Sequence, residues 1–167
     1  MIMDIGKSLR MALENEQKGM KMYEGFAKKA KNEITKRTFR FLADEEVKHI
    51  DSIKEFAKTG KMKVKLRPIT EVKVKTIFKT SVSHFSKKVK TGTMDIEAHK
   101  LGMELEEKSY DLYEKMAKAA KDRKSKEFFV FLMKEESLHY DLIRNAFDFI
   151  SDPESWYAGE EKRMMEG

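Results

Sequence analysis

Apolar residues recur along this chain at alternating spacings of three and four, in four separate runs. Leu9, Leu13, Glu16, Met20, Tyr23, Ala27 and Ala30 form the first stripe. Thr35, Phe39, Leu42, Glu46, His49, Ile53 and Phe56 form the second. His99, Met103, Glu106, Tyr110, Tyr113, Ala117 and Ala120 form the third, and Phe129, Leu132, Glu136, His139, Ile143, Ala146 and Ile150 the fourth. Such spacing marks the inward face of a bundle helix. It predicts a first helix from about residue 4 to about residue 31, and a second that starts at the cap Asn32 and stops at Gly60. Asp122 is the matching cap in the second pair, and Thr93 caps the third helix. Ser151, Asp152 and Pro153 end the fourth, because the residue before proline avoids helical geometry.

The pattern predicts an all-α chain: two helical hairpins, at 4–59 and 94–150, packed as an antiparallel four-helix bundle. A crossover at 60–93 and a C-terminal tail at 151–167 complete a single domain over 1–167. Within the crossover, residues 61–68 alternate apolar and basic and read as extended. Residues 69–90 are ambiguous, with a short helix expected around 82–89, and His84 reads as a surface histidine. The tail contains the lone tryptophan, Trp156, whose ring is expected to pack on a neighbouring surface.

The two hairpins are copies of one another. Residues 14–53 slide over 104–143 without a gap and share 18 identities in 40 positions, against roughly two or three for unrelated sequences. Among the matches are Glu16/Glu106, Tyr23/Tyr113, Glu45/Glu135, Glu46/Glu136, His49/His139 and Asp51/Asp141.

Composition narrows the chemistry. The chain has 167 residues, enough for a core without covalent staples. It has no cysteine, which excludes disulfides, thiolate metal sites and thiol nucleophiles. The start lacks the long apolar stretch of a signal peptide, and no run is long enough for a membrane span, so a cytoplasmic protein is expected. Net charge is +6, placed unevenly: residues 54–92 hold twelve Lys or Arg against Glu55 and Glu71, or +10, leaving −4 elsewhere. A basic connector can dock on an acidic partner or a polyanion. It is more often a solvated surface with lysine stems over apolar groups. No nucleic-acid-binding motif accompanies it.

The stripes themselves carry the decisive feature. Glu16, Glu46, Glu106 and Glu136 sit where the residues a turn away are Leu, Met, Phe, Ile or Tyr. One ionised carboxylate in a core costs many kcal/mol, and four facing one another also repel. The stripes hold no lysine or arginine to pair with them. Two divalent cations would balance the four carboxylates, with His49 and His139 as one nitrogen ligand each. One glutamate from each of two helices, plus Glu-x-x-His from each of the other two, is the ligand set of a dinuclear carboxylate bundle. Its donors suit iron and manganese alike. Glu45 and Glu135 each lie four residues before a histidine and are candidates to accept the proton on its other ring nitrogen. Tyr23 and Tyr113 are candidate catalytic residues that hydrogen-bond the site. Asp51 and Asp141 point away from the stripe, and His99 reads as a core or end-of-bundle histidine.

These residues resemble the rubrerythrin branch of the ferritin-like superfamily, through Glu16-x6-Tyr23, Glu46-x2-His49, Glu106-x6-Tyr113 and Glu136-x2-His139. The resemblance implies two iron ions held by Glu16, Glu46, His49, Glu106, Glu136 and His139, a ferritin-like bundle and often a homodimer. It implies reduction of hydrogen peroxide, or oxidation of ferrous iron with oxygen. Rubrerythrins usually add a cysteine-bearing, rubredoxin-like module. Without cysteine, electrons must come from a separate donor protein. Rubrerythrins also commonly carry an extra glutamate one turn after the third-helix ligand. Ser109 stands there, and Gly19 is its repeat mate, so the ligand set is nearly symmetric, as in bacterioferritin. A di-iron hydroxylase of an organic substrate, or a non-enzymatic iron-binding or sensing protein, would use the same ligands.

Overall fold

The computed structural model describes residues 4–62 and 92–166. Four long helices, α1 (Ile5–Lys29), α2 (Glu33–Thr59), α3 (Thr93–Ala119) and α4 (Arg123–Ser151), form the bundle, and α5 (Pro153–Glu166) follows. No strand occurs among the described residues. No described helix is long and apolar enough to cross a membrane. The expected crossover features at 63–91, including His84, lie outside the described residues.

Local chemistry sets the helix ends. The Asn32 side chain accepts from Ile34 N and Thr35 N, and Asp122 accepts from Ser125 N. These satisfy first-turn amides that have no partner within the helix. Gly60 closes α2 at φ 64°, a left-handed conformation that glycine adopts without a steric penalty. Two expected ends are corrected. α1 stops at Lys29, two residues early, because Ala30 turns extended to enter the short connection to α2. Gly92, not Thr93, caps α3. The reason is Asp95: its carboxylate accepts from Gly92 N (2.9 Å), Lys31 N (3.0 Å) and Asn32 N (3.2 Å). One buried aspartate thus caps α3 and ties it to the turn of the first hairpin. The tail, for which no element was expected, is the helix α5, with Asp152 accepting from Ser155 N. Trp156 packs edge-on against Phe149 of α4 and donates to Asn145 Oδ1 (3.0 Å).

α1 pairs with α2 and α3 with α4, while α1 also meets α3 and α2 meets α4. Asp95 places the start of α3 beside the start of α2, and Phe56 at the end of α2 stacks on Phe128 at the start of α4. Helices α2 and α3 therefore run parallel, so the end of α2 and the start of α3 lie at opposite ends of the bundle. That accounts for the long interval between them.

The inward faces of α2 and α4 match the stripes read from the sequence. Those of α1 and α3 are rotated. Ala12 and Gly19 are buried in α1 while Leu13 and Met20 stand at its flank. Gly102 and Ser109 are buried in α3 while Met103 and Tyr110 stand at its flank. Close packing between hairpins selects the small residues: a Cβ on Gly102 would lie 3.0 Å from Phe39 and 3.1 Å from Ile143. Two apolar clusters fill the bundle's ends, one around Phe39, Leu42, Leu142 and Phe149, the other around Ile53, Phe56, Phe129 and Leu132. The acids and imidazoles sit between them.

Candidate metal centre

Each candidate ligand comes from the middle of a long helix: Glu16 from α1, Glu46 and His49 from α2, Glu106 from α3, Glu136 and His139 from α4. The one-turn offset within each Glu-x-x-His puts carboxylate and imidazole on one face. All six side chains are buried, none more than 2% exposed.

The six side chains sort into a middle and two flanks. Glu46, His49, Glu136 and His139 each bring a ligand-type atom within 4.8 Å of the others. Glu46 spans the middle, with Oε2 3.3 Å from His49 Nδ1 and Oε1 3.4 Å from His139 Nδ1. Glu136 Oε1 lies 3.3 Å from His49 Nδ1. Glu16 Oε2 flanks His49 Nδ1 at 3.1 Å, and Glu106 Oε1 flanks His139 Nδ1 at 3.5 Å. The two imidazoles stack, 5.1 Å between centroids and 10° apart in plane. This is a two-chambered arrangement: Glu16 with His49, Glu106 with His139, and two carboxylates shared between.

The tyrosines bind across the hairpin interface. Tyr23 donates to Glu106 Oε1, and Tyr113 donates to Glu16 Oε1. Each therefore orients the flanking glutamate of the other repeat. The second ring nitrogen of His49 also looks across, with Nε2 3.5 Å from Glu135 Oε2. Glu45, Glu135 and His139 likewise bring ligand-type atoms within 4.8 Å of one another. Glu45 differs from its mate in pairing with Lys48, a position occupied by Leu138 in the second repeat. Asp51 and Asp141 are exposed. His99 is buried at the bundle end, where Nδ1 donates to Asp95 O (2.7 Å) and the ring sits edge-on to Phe39.

Burial and mutual repulsion govern protonation. Burial first, then the charge of Glu16, pushes the Glu46 carboxyl up to about 8. The same two effects hold Glu136 well above the carboxylate range. Burial would also raise Glu16, but hydrogen bonds from Glu46 and His49 and the charge of His49 outweigh it, leaving Glu16 at about 2. Burial opposes a charged imidazole, yet Glu106 and Glu46 lift His139 to about 10. Burial next to carboxylates also raises both tyrosines. In a metal-free bundle, protons thus neutralise the cluster from within.

Those protons do not satisfy it. Glu46 Oε2, Glu106 Oε2, Glu136 Oε1, His49 Nε2 and both ring nitrogens of His139 are buried without a hydrogen-bond partner among the described residues. Buried polar atoms in native proteins are nearly always paired. The orphaned oxygens of Glu46, Glu106 and Glu136 and the Nδ1 of His139, gathered around one point, match the donor set of two divalent metals.

Sequence reasoning missed the polar contacts beside this cluster. Asn15 donates to Ser109 Oγ (2.9 Å) and to Tyr113 Oη (3.3 Å). Their signal was a break in the repeat: Asn15 aligns with Leu105, and Gly19 with Ser109. Asp95 was also findable, since an acid three residues into a helix commonly reaches back to the cap.

A family model described as Rubrerythrin matches residues 7–147. Comparison with curated proteins finds no match, nor does comparison with solved structures.

Proposed function

The chain belongs to the rubrerythrin family, and from that premise we propose that it is a di-iron oxidoreductase that reduces hydrogen peroxide or oxygen. The observation that carries this reading is the ring of orphaned, buried oxygen and nitrogen atoms between the two repeats. Glu46 and Glu136 would be shared between two metals, Glu16 and His49 would complete one, and Glu106 and His139 the other. Two ferrous ions held there supply the two electrons that an O–O bond accepts, and the same donors suit manganese.

The chain's own residues supply the rest. An imidazole that ligates through Nδ1 keeps its proton on Nε2, and Glu135 stands 3.5 Å from His49 Nε2 to accept it. Tyr23 and Tyr113 hold their phenolic protons on Glu106 and Glu16 and fix those carboxylates in place. The apolar clusters on either side exclude bulk water, so charge in the centre is felt strongly. Peroxide turnover consumes two electrons and two protons and yields two waters. These residues carry no cysteine for a second iron site, so the electrons come from a donor outside them.

The test is metal analysis of protein purified without oxygen, followed by stopped-flow mixing with peroxide and, separately, with oxygen. The reading expects about two metals per chain, and steady peroxide reduction when a reductant is supplied. A full metal complement with no turnover on either oxidant would favour a binding or sensing role.

A further inference from the structure

We propose that divalent cations reach the buried centre through the groove between α3 and α4, where Glu107 and Asp111 capture them. This rests on the reading that the six ligands hold metal. The groove is a cleft of about 310 Å3 whose floor is Glu106 and Glu136 and whose rim carries Glu107, Asp111 and Ser137. It runs from solvent to two candidate ligands.

Three observations favour this face. First, Glu106 Oε2 and Glu136 Oε1 are buried without a hydrogen-bond partner, in side chains about 1% exposed, and both residues line the cleft. The cleft thus ends on the two side chains whose inner oxygens are the unpaired acceptors, Glu136 Oε1 lying 3.3 Å from His49 Nδ1. Second, the rim acids are exposed, and neither pairs with a lysine or arginine among the described residues. The nearby Lys108 is engaged by Glu104 instead.

Third, the repeat provides an internal control. The positions 90 residues earlier are Gln17 and Lys21 in place of Glu107 and Asp111, with Met20, Val47 and Ile50 in place of Tyr110, Ser137 and Tyr140. The positions around the cleft are acidic and hydroxylated, while their repeat mates are apolar or amide with one lysine, Lys21. The ligands beneath them are identical. A whole chain of charge +6 repels divalent cations at long range. A local acidic cleft with low-dielectric walls reverses that field where it matters, and such focusing changes association rates by roughly 10- to 1000-fold.

The experiment is cobalt(II) loading of full-length, metal-stripped protein, followed by stopped-flow absorbance at low and high salt. E107Q/D111N is compared with wild type and with E14Q/E24Q, which removes the same charge from exposed sites on α1. The expected result is loading slowed about tenfold or more in E107Q/D111N at low ionic strength. The final stoichiometry and the circular dichroism should be unchanged, and the difference should shrink in high salt. E14Q/E24Q should load like wild type. Wild-type rates in E107Q/D111N, or equal slowing in E14Q/E24Q, would overturn the route while leaving the centre intact. Failure of the wild type to take up cobalt at all would overturn the centre and the route with it.

Discussion

The two repeats agree wherever a side chain touches the centre and differ one layer out. Glu16, Tyr23, Glu45, Glu46 and His49 recur as Glu106, Tyr113, Glu135, Glu136 and His139. Around them, Asn15 donates to Tyr113 and to Ser109, while Leu105 and Gly19 stand at the matching positions of the other repeat. Lys48 engages Glu45, whereas Leu138 leaves Glu135 free of that pairing and 3.5 Å from His49. The lesson is that the candidate ligands form one cluster. It is assembled only when the two hairpins meet, and the differences between the repeats lie in residues outside it.

The largest effects should come from the shared carboxylates. Glu46→Ala or Glu136→Ala removes a group common to both chambers. Each should take the metal content from about two per chain to near zero, with helical circular dichroism retained. Glu16→Gln and Glu106→Gln each touch one flank and should leave about one. If the flank variants lost both metals and the central ones lost a single ion, the division into middle and flanks would be wrong.

Removing metal should expose the proton load of the cluster. Glu46 sits at about 8 and His139 at about 10 in the folded state, both above their ordinary values of 4.5 and 6.5. The folded metal-free protein therefore binds more protons than the unfolded chain, and stability falls as pH rises through that range. Glu16, held at about 2, acts oppositely and weakens the fold only as pH falls below 4.5. The melting temperature of metal-free protein should drop steadily from pH 6 to 9. Loaded protein, whose metals have displaced those protons, should stay nearly level. Parallel curves would count against the buried cluster.

The tyrosines sharpen the comparison at smaller scale. Tyr23→Phe and Tyr113→Phe each delete a hydrogen bond to a carboxylate, worth about 1.5–3 kcal/mol. Tyr113→Phe also takes an acceptor from Asn15. It should cost about 0.5–1 kcal/mol more than Tyr23→Phe in denaturant unfolding of loaded protein. Asn15→Leu with Ser109→Gly, which copies the other side, should erase that difference.

The buried acid and imidazole cluster could be read from the chain because acids on an apolar stripe violate a strong energetic rule, twice, in register. The helices could be read because their periodicity is regular. What the pattern did not show was rotation of α1 and α3, where Gly19 and Gly102 replace larger stripe residues at the interface. Periodicity reports which face is apolar, but close packing between helices is decided by side-chain volume on both partners. The Asp95 tie between hairpins was hidden for a related reason: the amides of Lys31 and Asn32 that donate to it lie more than 60 residues away. Helix α5 has a weakly apolar face and no buried residue, so little in its pattern announced it.

Anomalous X-ray scattering at the iron edge, from crystals grown without oxygen and supplied with ferrous iron, addresses the centre most directly. Two peaks per chain are expected with Glu46 and Glu136 between them, one beside Glu16 and His49 and the other beside Glu106 and His139. Iron-replete crystals with no peak among these six side chains would contradict that centre.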